Sequence, residues 1–182
     1  GKVCLFTNTG QLHTVKVMDI PFGKFRDKGV PIDNISNFNG EKEHVVAAAS
    51  QTSLNLYRMI FVTRQAMMKI VDGGEFDVAK RTVAATKLSE DDEVVSVEVL
   101  NDQKQIILQS QAGYFLKFNV DEIPEKKKNA IGVRGMRFTG TDYVEGVYYT
   151  RVGEEQAITY REKSVDLHKL KLAERDGKGT KI

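Results

Sequence analysis

A chain of 182 residues with 41% hydrophobic and 29% charged side chains has the balance of a folded domain, not of a disordered segment, and is long enough for one large domain or two small ones. No apolar run approaches the roughly 20 residues of a membrane-spanning helix, and the longest, Val45 to Ala49, is strand-sized, so a soluble domain without a membrane partner is expected. The formal net charge of +2 neither predicts nor forbids a polyanionic partner, and the distribution of charge has to decide.

The chain opens at Gly1 without a methionine or the features of a signal peptide and reads as an excised fragment. Val3-Cys4-Leu5-Phe6-Thr7-Asn8-Thr9-Gly10 predicts a strand running into a glycine turn. Cys4 is the single cysteine, which leaves no internal disulfide or thiolate metal cluster and fits a reducing cytoplasm. Ile20-Pro21 and Gly29-Val30 follow, and Glu43-His44-Val45-Val46-Ala47 reads as an acidic turn leading into a strand. Met59 to Thr63 predicts the next strand and Met67-Met68-Lys69-Ile70-Val71 its hairpin return. Asp92-Glu93-Val94-Val95-Ser96 is a second acidic turn. Ile106 to Gly113 and Tyr114-Phe115-Leu116-Lys117-Phe118 form a further hairpin, Asp142 to Gly146 a third acidic turn, and Ala157-Ile158-Thr159-Tyr160 the last strand.

These elements repeat. Val3 to Gly10 matches Ile106 to Gly113 at an offset of 103, and Ile20-Pro21 with Ile123-Pro124 and Gly29-Val30 with Gly132-Val133 keep that same offset. Met59 to Thr63 lies between, 56 after the first copy and 47 before the next, while the acidic turns recur at 49 and 50. Units near 50 residues with about four short strands each predict an all-β, propeller-like fold of three full blades and a partial fourth, with so few units suggesting an open or incomplete disc. The units are approximately 1–55, 56–102, 103–153 and 154–182, within one repeat domain.

The basic residues keep phase with the repeat. Windows 24–28, 80–87, 125–137 and 174–182 hold fourteen lysines and arginines against four acids, a net of +10, which leaves the rest of the chain at −8. Equivalent loops of repeats emerge on one side, so the windows should join into a basic band suited to a rod-shaped polyanion such as duplex DNA. Gly29, Gly132, Gly135, Gly177 and Gly179 would let the backbone approach phosphates. The bland alternative is that such lysines merely solvate loops, and it weakens with each window that falls in phase.

Other chemistry is set aside. Gly177-Lys178-Gly179-Thr180 lacks the spacing of a phosphate-binding loop. His13, His44 and His168 have no paired ligand spacing and read as surface or partly packed residues, so no metal and no cofactor are expected. Glu90 to Glu93 reads as exposed turn acids without an organised partner, and Phe25 and Phe138, next to basic residues, read as core anchors ahead of DNA contacts. The tyrosines fall mostly in strand-like segments, and none is nominated as catalytic.

The strand-turn repeat, the Ile-Pro pair and the glycine-centred basic loop resemble the C-terminal domain of the A subunit of bacterial type IIA topoisomerases, DNA gyrase or topoisomerase IV, over essentially the whole chain. The resemblance implies a β-pinwheel whose blades exchange strands and whose basic perimeter binds DNA. It also implies a domain that is not an enzyme by itself. The partners it implies are duplex DNA, the remainder of the A subunit, whose upstream tyrosine cleaves DNA, and the ATPase B subunit. Carried over, it puts Lys24, Arg26, Lys28, Lys80, Arg81, Lys126, Lys127, Lys128, Arg134, Arg175 and Lys178 at the DNA-facing edge, and the protein in the bacterial cytoplasm with the nucleoid. The glutamine-arginine-arginine-glycine-glycine box usual in gyrase does not occur. Its nearest stretches, Arg26-Asp27-Lys28-Gly29 and Arg175-Asp176-Gly177-Lys178-Gly179, interpose aspartates that weaken phosphate contact, which favours bending over full wrapping. A propeller-like scaffold for protein partners remains the rival reading.

Overall fold

The computed structural model describes residues 1–17 and 38–182. Lys24, Arg26 and Lys28, with Phe25, Ile20-Pro21 and Gly29-Val30, lie outside the described residues. The strands, in chain order, are β1 (Lys2–Thr7), β2 (Gln11–Lys16) and β3 (Val45–Ser50), followed by a one-turn helix, α1 (Gln51–Leu54). Next come β4 (Arg58–Thr63), β5 (Met67–Asp72), β6 (Thr82–Ala84) and β7 (Val94–Leu100), then β8 (Gln105–Ser110), β9 (Tyr114–Asn119), β10 (Val133–Arg134) and β11 (Val144–Thr150). Strands β12 (Ala157–Tyr160), β13 (Lys163–Asp166) and β14 (Thr180–Lys181) are the last of the described residues' strands.

Each of the first three repeats starts with a hairpin held by the same two devices. A tight turn closes with Gly10 N–H donating to Thr7 O, Ala66 N–H to Thr63 O and Gly113 N–H to Ser110 O, at 2.9–3.1 Å. The residue at its end has positive φ, +79°, +66° and +100°, which explains glycine at two of the three positions. The hydroxyl that ends the first strand then accepts the amide that begins the second: Thr7 from Gln11, Thr63 from Met67 and Ser110 from Tyr114. The Thr/Ser-x-x-Gly phrase is therefore a turn signal with a mechanism.

The sheets are not built from contiguous stretches of chain. Their orders are β3-β1-β2-β6, β7-β4-β5-β10 and β11-β8-β9-β14, all antiparallel, with β12 and β13 paired as a hairpin. In each complete sheet the last strand comes from the following repeat: Val83 pairs with Leu12, Val133 with Met68 and Thr180 with Phe115. Among the described residues the fold is thus all-β, three four-stranded blades and a two-stranded fourth, coupled by strand exchange and not closed into one sheet.

Period-2 alternation places the core between blades. Met59 and Phe61 of β4 pack with Cys4, Phe6 and Leu12 of the first blade, whereas Ile60 and Val62 pack with Ile106, Leu108, Leu116 and Phe118 of the third. Ile107 and Phe115 face Tyr160, Val165 and Leu167 of the fourth. Strand β7 packs against both β3 and β11, so these edges face one another. The donated strands β6, β10 and β14 form the opposite edge of their sheets.

Candidate nucleic-acid interface

The three described basic windows carry the donated strands, so all three lie at that opposite edge, and they touch. Ala130 O accepts from Thr86 Oγ1 at 3.3 Å, joining window 80–87 to window 125–137. The next junction is denser: Arg137 N–H donates to Gly177 O and Asp176 N–H to Gly135 O, each at 2.8 Å, and Met136 bridges to Gly177. The windows therefore form one continuous band.

Within it, Lys80, Arg81, Lys87, Lys126, Lys127 and Lys178 are exposed, and their side chains make no hydrogen bond or ion pair among the described residues. Of the other cations, Lys181 lies 5.9 Å over the Tyr114 ring and the remaining four are engaged by polar partners. Lys128 Nζ donates to Glu75 O at 3.3 Å, and its amide donates to the Glu75 carboxylate at 3.1 Å. Arg175 donates from Nε to Glu122 O at 2.9 Å and from Nη1 to Arg134 O at 2.8 Å, which makes it a clamp between backbones rather than a free perimeter charge. Arg134 grips Asp176 with Nε and Nη2, and Arg137 reaches the same carboxylate from Nη2 at 3.6 Å. The hydrogen bond from Arg134, then the charges of Arg134, Arg137 and Arg175, hold the Asp176 carboxyl below its ordinary range. Beside this cluster an open groove is lined by Lys171 and Lys178. Lys171 falls just outside the basic window and was not singled out by repeat phase.

Two lysines that the sequence presents as strand residues turn out to be structural. Lys69 is 1% exposed, and its ammonium donates to Lys127 O, Lys128 O and Ala130 O at 3.0, 3.1 and 2.6 Å. It anchors the backbone of the most basic loop from beneath while the Lys126 and Lys127 side chains point to solvent. Burial pushes its pKa down to about 8, opposed by the charge of Glu75. Lys117 does likewise for the fourth repeat, donating to Leu167 O, His168 O and Leu170 O, and burial lowers its pKa as well. The signal for both was a lone lysine amid four apolar residues of a return strand.

Two expectations need correction, and three band glycines carry a constraint of their own: Gly132, Gly135 and Gly179 sit where the exchanged strand approaches its neighbour too closely for a side chain. A Cβ at Gly132 would strike Met68 O, one at Gly179 would strike Phe115 O, and one at Gly135 would strike Met68 Sδ. Two of the four acids of the Glu90 to Glu93 turn have organised partners: Asp92 Oδ1 accepts from Gln65 N at 2.9 Å and Glu93 N at 2.8 Å, and Glu93 meets Asn8 and Arg64. Asp142 repeats the first arrangement with Ala112 and Tyr143, so these carboxylates cap hairpin turns. His13 is wholly buried, with Nε2 3.1 Å from Glu43 and Nδ1 3.0 Å from Thr82 of the donated strand. Burial works against the Glu43 carboxylate, but hydrogen bonds from Thr7, His13, the Asn39 amide and Thr9 outweigh it and lower its pKa. Among the described residues no group of three His, Cys, Asp or Glu side chains is placed to hold a metal. Phe138 packs on the core between blades two and three.

Residues 1–52, 58–101 and 104–151 each match the family described as the DNA gyrase C-terminal domain, beta-propeller. The chain belongs to this family. It is 31% identical over 144 residues to the DNA gyrase A subunit of Lawsonia intracellularis, covering 77% of this chain and 17% of that one. To the DNA gyrase A subunit of Helicobacter pylori it is 27% identical over 181 residues, covering 95% of this chain and 22% of that one. The chain thus spans about a fifth of the length of these gyrase relatives. Among solved structures, the C-terminal domain of DNA topoisomerase IV superposes with a TM-score of 0.89 at 26% identity, over all of this chain and 58% of that one. The E. coli ParC C-terminal domain superposes with a TM-score of 0.79 at 17% identity, over all of this chain and 76% of that one. Among the described residues no helix is long and apolar enough to cross a membrane.

Proposed function

We propose that this domain binds duplex DNA along the band formed by windows 80–87, 125–137 and 174–182 and bends it there. In doing so it serves as the accessory, non-catalytic part of a topoisomerase A subunit that supercoils or decatenates DNA together with an ATPase B subunit, in the bacterial cytoplasm. The observation that carries this reading is the continuity of the band at the donated-strand edge, in a chain of this family. Its cations are spread over three repeats, as contacts to successive phosphates of a rod require, and no helix among the described residues is placed to read bases. Binding is accordingly expected to depend strongly on salt and weakly on sequence. The first unit's Lys24, Arg26 and Lys28 extend the proposed contact set by repeat phase, with Lys80, Arg81, Lys87, Lys126, Lys127 and Lys178 as the direct contacts.

Electrophoretic retardation of a plain duplex, with and without an excess of acidic protein, tests this. DNA binding that survives the competitor supports the reading. Loss of binding to the competitor, or none at all, transfers the band to a protein partner.

A further inference from the structure

At the junction of β10 and β14 the basic band contains a carboxylate set among guanidinium groups. Asp176 has φ of +71°, a region asparagine and aspartate tolerate better than most residues. Its backbone is fixed on both sides, the amide donating to Gly135 O and the carbonyl accepting from Arg137 Nε at 3.0 Å. Only its side chain is left to move, and that side chain receives the two-pronged grip of Arg134 and the approach of Arg137. Arg134 and Arg137 are themselves 52% and 58% exposed, against 28% for Asp176. A planar guanidinium fork fits carboxylate and phosphate alike. The carboxylate thus occupies the position that a phosphate oxygen would take.

We propose that Arg134 and Arg137 form a phosphodiester site that Asp176 fills in the free protein and yields, by side-chain rotation, when DNA engages the band. This rests on the DNA reading above and adds a built-in competitor to it. Arg175 is not part of the exchange, because its guanidinium holds Glu122 O and Arg134 O and keeps the β10 end in place. With Asp176 present the two arginines offer the incoming strand a net charge of +1, and without it +2. The device moderates affinity at one seam while the exposed lysines elsewhere remain unopposed.

The test is Asp176→Asn, which keeps a residue that tolerates this φ, compared with Asp91→Asn. Asp91 is an exposed acid in the Glu90 to Glu93 turn, so the control carries the same charge change. Duplex affinity is measured by anisotropy across a salt series. Because the same two arginines meet phosphates once Asp176 has yielded, Asp176→Asn should tighten binding roughly tenfold near ~0.1 M salt while the log-log salt slope changes by less than the about 0.9 of one contact. Adding Arg134→Gln and Arg137→Gln should abolish the gain, and Asp91→Asn should give little of it. As a readout without substitution, duplex added to the unaltered domain should shift the Nε–H resonances of Arg134 and Arg137. If the unaltered domain binds DNA while Asp176→Asn matches Asp91→Asn, or those resonances stay still, the carboxylate is only a strut and the inference is overturned. If neither the unaltered domain nor any variant binds duplex, it is the DNA reading itself that fails.

Discussion

Replacing Gly132 by alanine tests whether strand exchange holds the blades in place. Gly132 sits one residue before β10 with φ of +104°, directly over β5 of the preceding blade. A methyl group there meets two penalties. The backbone conformation costs a non-glycine residue on the order of 1–3 kcal/mol. The collision with Met68 O and C is with backbone, which cannot swing aside, and adds about 1–3 kcal/mol of overpacking. The sum is roughly 2–6 kcal/mol, a large part of the about 5–15 kcal/mol typical of a whole domain. Gly153 supplies the control, because its φ is +75° but a Cβ there has open space around it. Gly153→Ala should therefore cost only the conformational part, about 1–2 kcal/mol. Urea unfolding of both variants reads the difference, and hydrogen exchange at Met68 and Val133 reads whether the loss is at the β5–β10 seam. Because Arg134 is the second residue of β10, the variant should also bind DNA less well. A cost for Gly132→Ala no greater than for Gly153→Ala would refute the claim that close backbone approach of the donated strand couples the blades.

Lys126→Ala with Lys127→Ala should reduce the log-log salt slope by up to about 1.8, whereas adding Lys128→Ala should change it less, because Lys128 is tied to Glu75; anisotropy across a salt series checks both. The depressed pKa of Lys69, about 8 against an ordinary 10.5, means that between those two values the unfolded chain binds the proton the folded chain has released. Stability contributed at this site then rises with pH over that window, by at most about 1.4 kcal/mol per unit, and Lys69→Met should remove the rise in urea midpoints taken across it. Asp92→Ala should cost about 1–3 kcal/mol, since the Gln65 and Glu93 amides lose their acceptor, and thermal unfolding should show it.

The hairpins were legible because two independent signals coincide in them. Short apolar runs bounded by turn residues mark each hairpin, and those runs recur at offsets of 56 and 47, at Val3 to Gly10, Met59 to Thr63 and Ile106 to Gly113. The donated strands were not legible: Val133–Arg134 and Thr180–Lys181 are two residues each, too short to show any period. That is also why no packing role showed at Gly132 and Gly179, whose constraint comes from Met68 and Phe115, more than 60 residues earlier in each case. The basic windows were found from charge alone, but charge does not tell a free lysine from an engaged one. Lys126 and Lys128 look alike in sequence, and only the fold brings Glu75 to the second. The aspartate in Arg175-Asp176-Gly177 was visible as an interruption, whereas its partner Arg134 lies 42 positions away.

The most direct test of the DNA-binding band is the salt dependence of duplex affinity for the unaltered domain. Lys80, Arg81, Lys87, Lys126, Lys127 and Lys178 are six exposed cations without a partner among the described residues. At about 0.9 per phosphate contact they predict a log-log slope of about −5 or steeper, similar for unrelated sequences of equal length. A flat dependence would contradict the account and leave the band as solvated surface.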